Sequence, residues 1–228
     1  MKRFLTLVLL VSCWPVCAQQ AVVTVPGEPT NLDVVKKQLL HYQACTEAEC
    51  YVPQIERQVD LAMGFLQESV AKAQKGEKLA IVLDIDETSL SNWSVEVHDD
   101  FGYIPNDSNW CVALRCGIAI AGTLRLYREA EKDGVTVFFI TGRPETQRVD
   151  TEANLRAVGY DQWGMVYLRP VDHPKGQTVS DYKSGDRAEI MKMGYRIVLN
   201  VGDQLSDLAG EPQAEHSVKL PNPFYFIG

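Results

Sequence analysis

The chain has 228 residues, of which 46% are hydrophobic and 23% charged, and its formal net charge is −8. That length suits one sizeable α/β domain with its own core and is short for two independent ones. So acidic a chain is a poor nucleic-acid binder, which needs a basic patch or stripe, so no nucleic-acid polymer is expected as partner.

The amino terminus reads as a targeting segment. Lys2 and Arg3 make a positive start, Phe4 to Val11 is an apolar run, and Pro15-Val16-Cys17-Ala18 places small residues for cleavage after Ala18. The run is too short to span a bilayer, which takes about 20 apolar residues. No later stretch is long and apolar enough, so no transmembrane segment is expected. Cleavage removes two cations and no acid, taking the charge from −8 to −10. The product would be secreted or periplasmic. A second reading stays open: Leu10-Val11-Ser12-Cys13 looks like a lipoprotein signal with Cys13 lipidated. Cleavage after Ala18 leaves the even set Cys45, Cys50, Cys111 and Cys116, whereas lipidation at Cys13 leaves Cys17 as an odd thiol.

Four cysteines suit an oxidising compartment and allow three pairings. The short-range choice joins Cys45 to Cys50 and Cys111 to Cys116; free buried thiols are the alternative. Zinc fits poorly, because no C-x₂-C or H-x₃₋₅-H spacing occurs.

Residues 19–30, with Gly27 and Pro29, form an extended lead-in to a domain over 31–228. Asn31 can cap a short helix with Leu32, Val35 and Leu39. Ile55, Val59, Met63, Leu66 and Val70 recur at helical spacing, predicting a helix over 53–75 closed by Lys75-Gly76. Leu79 to Leu83 is a continuous apolar run, as in a strand buried on both faces of a parallel sheet, and it ends at Asp84. Residues 92–116 are rich in Asn, Asp, Gly, Pro and aromatics and read as a long connection. A helix over 117–133 follows, then a second buried strand from Val135 to Ile140, ending at Thr141. Residues 144–157 are expected to be helical, Met165 to Leu168 a short strand, 181–193 helical, Tyr195 to Asn200 a strand ending before Gly202-Asp203, and Val218 to Leu220 a last edge strand. Alternating strands and helices with short connections predict a three-layer α/β sandwich around a mostly parallel, Rossmann-like sheet, with a helical N-terminal extension.

In such sheets ligands bind beyond the carboxyl ends of the strands. Three predicted strands end at Asp84, Thr141 and Asp203, which would meet at one edge. In extended chain Asp84 and Asp86 point the same way, with Ile85 turned to the core. Two close carboxylates repel and need a cation or a shared proton. Mg²⁺, which prefers carboxylate oxygen and water, fits, and Asp203 and Asp207 would complete an acidic ligand set. Asp-x-Asp alone is weak, since surface acid pairs are common and some sugar-transferring enzymes use one.

The ordered set is far more specific: Asp84-x-Asp86-x-Thr88 after one strand, Thr141-Gly142-Arg143 after the next, then Lys183, then Gly202-Asp203-x₃-Asp207. It resembles the haloacid dehalogenase superfamily of phosphotransferases. Val82 to Asn92, Tyr182-Lys183-Ser184, the Gly202 to Gly210 segment and the tail Leu220-Pro221-Asn222-Pro223-Phe224-Tyr225 resemble secreted acid phosphatases of the class B and class C type, including plant vegetative storage proteins. The likeness covers roughly residues 30–228.

The resemblance implies a small loop-type cap and a phosphomonoester hydrolase. Asp84 would be the nucleophile. Asp86 would be the general acid for the leaving alcohol and then the base for water, consistent with a low working pH. Thr141, the Gly142 amide and Lys183 would hold the phosphoryl oxygens. Asp84, the Asp86 main-chain carbonyl and Asp203 would hold one Mg²⁺, with Asp207 reaching it directly or through water. Glu87, which stands where some members carry a second Asp, reads as a neutral variation. Asn92 either orients the site or is a turn residue. Arg143 and Arg187 either guide phosphate or pair with acids.

Phe101, Tyr103, Trp110, Phe224 and Tyr225 could stack a nucleobase or aryl leaving group, which would suit nucleoside monophosphates, or could be local core. A phosphotransferase using the same intermediate and a non-catalytic storage or binding protein are the rivals; the latter should have lost Asp84. No G-x-S-x-G, Walker loop or C-x₅-R loop occurs.

Overall fold

The structure is a computed structural model that describes residues 26–227. The proposed signal, its cleavage point at Ala18 and the alternative at Cys13 lie outside the described residues. The chain divides into a unit over residues 1–31 and a unit over 32–228. All the described helices and strands belong to the second.

Two helices open it: α1, Leu32–Ala44, and α2, Tyr51–Lys72. Cys45 and Cys50 are disulfide-bonded across the short link between them. One side of α2 carries Tyr51, Ile55, Val59, Ala62 and Leu66, all buried, as the three- and four-residue spacing dictates. The helix ends three residues before Lys75, and Gly76, at φ +85°, makes the left-handed turn into the first strand.

Strands β1 (Lys78–Leu83), β4 (Thr136–Pro144), β5 (Val166–Arg169), β6 (Tyr195–Gly202) and β7 (His216–Lys219) form one sheet in the order β5-β4-β1-β6-β7. Every pairing in it is parallel. Alternation along β1 divides the core. Leu79, Ile81 and Leu83 join a cluster with α2 and with α5 (Ala121–Lys132). Ala80 and Val82 face the other way, toward Ile190 of α7 (Val179–Lys192). Helices thus cover both faces, and the continuous apolar runs are explained by burial on two sides. From β1 the chain builds outward in one direction through β4 and β5, then returns to add β6 and β7 on the other side. That reversal puts the topological switch point at the carboxyl ends of β1 and β6, where sheets of this kind bind their ligands.

Several elements differ from expectation. The 92–116 connection contains two short helices, α3 (Trp93–His98) and α4 (Pro105–Leu114), and Cys111 is disulfide-bonded to Cys116. Pro105 at the first helical position is compatible with a helix start, but the Asn and Asp residues masked any apolar period. The helix expected from 117 begins at Ala121. Residues Ile118–Ala119 instead form β3, antiparallel to β2 (Leu90–Ser91). Asn154 enforces this by exchanging two hydrogen bonds with the Gly117 backbone, at 3.1 and 2.7 Å. Residues 144–157 split into a 3₁₀ turn, Glu145–Gln147, and α6, Arg148–Ala157. Helix α7 starts two residues early because Thr178 and Asp181 form a reciprocal capping box.

Candidate active site

The chain leaves β1 at Leu83, and Asp84 is the first residue beyond it. Its amide donates to the Val201 carbonyl (2.9 Å), which ties the end of β1 to β6. Its carbonyl accepts from Ser89 Oγ at 2.6 Å. The Ser89 and Leu90 amides both donate to the Ile85 carbonyl, and Glu87 takes φ +51°. This tight turn buries Ile85 and sends Asp84 and Asp86 to different partners.

Asp84 faces Lys183 of α7. The Lys183 ammonium is 2.6 Å from Asp84 Oδ1 and 2.6 Å from Asp207 Oδ1, and it is only 3% exposed. Asp207 lies on the short helix α8, Leu205–Leu208, and its Oδ2 accepts the Gln204 amide at 2.8 Å. Carboxylate oxygens of Asp84, Asp203 and Asp207 lie within 4.8 Å of one another, and all three residues are buried. Burial pushes the Asp84 carboxyl well above the usual range, and the charges of Asp207, Asp203 and Asp86 add to this against the pull of Lys183. Asp203 is raised by burial and by Asp207, partly offset by hydrogen bonds from Asn222 and Gln204. Burial opposes the charge of Lys183, but Asp84 and Asp207 outweigh it and hold the ammonium more firmly protonated than usual. Three buried carboxylates thus gather beside one ammonium, which pairs directly with Asp84 and Asp207. That surplus of negative charge, made of hard oxygen donors, fits a divalent cation of the Mg²⁺ type.

Asp86 turns toward Arg143, at the end of β4. Arg143 Nη2 donates to Asp86 Oδ1 at 2.7 Å and Nε at 3.0 Å, and Asn92 Nδ2 donates to the same oxygen at 2.7 Å. Burial pushes Asp86 up, but Arg143 and Asn92 prevail and hold it below its usual value. The side chain of Asp86 therefore stands apart from the three-carboxylate cluster. Thr141 is fully buried, with Oγ1 at 3.5 Å from Asp86 Oδ2, and it accepts the Arg143 amide at 3.1 Å. Gly142 is the exposed residue between them.

Arg187 does neither thing expected of it. Fully buried, it donates to the carbonyls of Asp207 (2.9 Å), Ala209 (2.5 Å), Gly210 (3.0 Å) and Pro212 (2.9 Å). It clamps the loop that carries Asp207. Asn200 Nδ2 adds a second donor to the Asp207 carbonyl at 3.0 Å.

Glu87 is buried and accepts from the Asn92 amide (2.6 Å) and Tyr225 Oη (3.0 Å). Burial and the charge of Asp86 push it up to about 8. The aromatic residues divide. Phe101 and Phe224 pack with Trp93, and Phe224 packs also with Tyr51. Tyr103 and Trp110 are 80% and 61% exposed on the inserted segment.

Sequence reasoning had no separate place for Asn200, Gln204 and Asn222. Gln204 Nε2 and Asn222 Nδ2 donate to Asp203 Oδ2 at 2.6 and 2.7 Å, and Thr88 Oγ1 donates to Oδ1 at 3.0 Å. An amide side chain set between two prolines, Pro221-Asn222-Pro223, was the one available signal.

Acids and a lysine gathered at the switch point of a parallel sheet define an α/β enzyme of the phosphoryl-transfer type. The family model described as HAD superfamily, subfamily IIIB (acid phosphatase) matches residues 14–228. The chain belongs to that subfamily and is an acid phosphatase by descent. It is 38% identical to acid phosphatase 1 of Solanum lycopersicum over 185 residues, which span 78% of this chain and 69% of that one. A stem 28 kDa glycoprotein of Glycine max is 34% identical over 66% of this chain and 61% of its own. Among solved structures, the class C acid phosphatase from Bacillus anthracis with tungstate bound superposes with a TM-score of 0.68 at 25% identity, covering 86% of each chain.

Proposed function

We propose that the protein hydrolyses small phosphomonoesters through a covalent phosphoryl group on Asp84. The observation that carries this is one buried cluster: Lys183 paired with Asp84 and Asp207, the Asp203 carboxylate beside them, and Asp86 held separately by Arg143. In the first step an Asp84 oxygen attacks phosphorus, and the leaving oxygen takes a proton from Asp86. In the second, Asp86 removes a proton from water, which attacks phosphorus and frees Asp84 and inorganic phosphate. Asp84, the Asp86 carbonyl, Asp203 and Asp207 would hold one Mg²⁺. When bound, it supplies positive charge against the phosphoryl oxygens.

Lys183, Thr141 and the Gly142 amide would meet those oxygens. Phosphoryl transfer needs little covalent help and much positioning and charge balance, which this pocket offers. Asp86 poses a specific requirement. In the free protein Arg143 holds it ionised, while the first step needs it protonated. The incoming phosphoryl dianion competes for the Arg143 guanidinium and loosens the pair, so that Asp86 can take up its proton as substrate binds.

The substrate class within phosphomonoesters extends to nucleoside monophosphates if the exposed Tyr103 and Trp110 serve as a stacking face. Cleavage after Ala18 would release the mature chain to a secreted or periplasmic location, where its two disulfides are stable.

The test is hydrolysis of a generic aryl phosphate by the mature chain between pH 4.5 and 8, with Mg²⁺ or EDTA, beside Asp84→Asn. Loss of activity in both EDTA and Asp84→Asn is expected. Equal activity of the two proteins would sink the covalent mechanism.

A further inference from the structure

The carboxyl-terminal segment is bound into the site at several points. Beyond β7, Leu220 is buried and the chain passes through Pro221-Asn222-Pro223. Asn222 Nδ2 donates to Asp203 Oδ2 at 2.7 Å, while Asn222 Oδ1 accepts the Phe224 amide at 2.9 Å. The second bond fixes the first: with its carbonyl end committed to an N–H donor, the amide must present its NH₂ end to the carboxylate. The flanking prolines add stiffness. Pro223 biases Asn222 toward an extended backbone, and each ring fixes its own φ.

The anchor is aromatic. The Phe224 ring lies 5.3 Å from that of Tyr51 on α2 and 5.0 Å from that of Trp93 on α3. Tyr225 Oη donates to Glu87. Further on, the Ile227 amide donates to Gln204 Oε1 at 3.2 Å, and Gln204 Nε2 donates to Asp203 Oδ2 at 2.6 Å. Both amides that grip Asp203 Oδ2 are therefore themselves held by the tail.

We propose that Asn222 is a positioning residue for Asp203, through which the carboxyl-terminal strap sets the affinity of the site for its divalent cation. The inference rests on the metal-assisted reading given above. A carboxylate free to rotate about its last bond must be ordered when a cation binds. Asp203 is ordered beforehand, with Thr88 on one oxygen and two amides on the other. Outer partners of this kind tune metal affinity by orienting the ligand. Removing Asn222 leaves Oδ2 with one donor and lets the carboxylate turn away from Asp84 and Asp207.

The experiment measures Mg²⁺ binding by calorimetry on the full mature chain, with the metal alone, for the wild type, Asn222→Ala, Asn222→Ser and Asp203→Asn. The serine hydroxyl can still accept the Phe224 amide but is too short to reach Asp203, so this variant keeps the local turn and stands in if the alanine variant fails to fold. Both Asn222 variants are expected to weaken Mg²⁺ binding by about tenfold or more. At saturating Mg²⁺ the KM for an aryl phosphate should stay within about twofold of wild type, because only the metal ligand has lost its partner. If Asn222→Ser binds Mg²⁺ as the wild type does while Asp203→Asn does not, the strap is packing alone and the proposal is overturned, whatever happens to thermal stability. If wild type and Asp203→Asn bind Mg²⁺ equally or not at all, the metal-site reading fails and takes this inference with it.

Discussion

Replacing Lys183 by methionine removes the single ammonium among three buried carboxylates and keeps most of the side-chain volume. Lys183 bridges Asp84 and Asp207 at 2.6 Å each. Taking one partner from a buried ion pair costs about 3–5 kcal/mol, because the remaining charge is left uncompensated. For a chain of this size each kcal/mol moves Tm by about 2–4 °C, so the variant should melt roughly 6–20 °C lower in EDTA. The deficit depends on pH with a definite sign. A carboxyl whose folded pKa lies above its unfolded value takes up a proton on folding. Stability is therefore lost as pH rises from the usual carboxylate range through the folded value. Asp84 is already raised by burial, and losing Lys183 raises it further, so the gap between variant and wild type should be wider at pH 8 than at pH 5. Mg²⁺ should narrow it, since a bound cation replaces part of the missing charge. The phosphatase rate should fall by about 10²–10³-fold, as for loss of one donor to a transition-state oxygen. Thermal melts at the two pH values, with Mg²⁺ or EDTA, read the first effect, and initial rates the second. Equal melting within about 2 °C of wild type, where a shift several times larger is expected, would show that the carboxylates are not held by Lys183, and the account of the pocket would be wrong.

Three further outcomes rest on single contacts. An added Cβ at Gly202 would lie 2.5 Å from Asp207 Cβ, so Gly202→Ala should displace Asp207, cost about 1–3 kcal/mol and weaken Mg²⁺ binding, as melts and calorimetry would read. Glu87, pushed up to about 8 by burial and Asp86, makes the fold lose roughly 1 kcal/mol per pH unit between about 5 and 8. Urea titrations of Glu87→Gln in EDTA should show a flatter dependence over that range. Breaking the Cys111–Cys116 link with Cys116→Ser should cost about 2 kcal/mol by the entropy of so short a loop, which denaturant melts would detect.

What the sequence determined by itself is the part of the protein governed by local rules. Leu79 to Leu83 and Val135 to Ile140 are apolar without alternation, and a short run of that kind suits a strand buried on both faces. The β1 and β4 strands lie there. The α2 helix follows from side-chain period alone. Short α/β connections leave a parallel sheet, and a parallel sheet places the ends of its strands at one edge. Asp84, Thr141 and Asp203 therefore share that edge, whatever the packing details. Where polar residues hide the period, as in α3 and α4, or where a distant side chain intervenes, as Asn154 does at Gly117, local reading missed the element. Tertiary structure decided the rest of the site. Asp84 and Asp86 are two residues apart, yet the turn at Glu87 sends one to Lys183, 99 positions away, and the other to Arg143, 57 positions away. Arg187 could as easily have bound phosphate. Only the fold shows it buried against four carbonyls behind Asp207. Asn222 lies 19 residues from Asp203, and its role depends on a tail folded back over the sheet edge. Residue type and spacing specify which groups can meet, but hydrogen-bond partners across elements depend on how the layers dock, and that depends on the packing of the whole core.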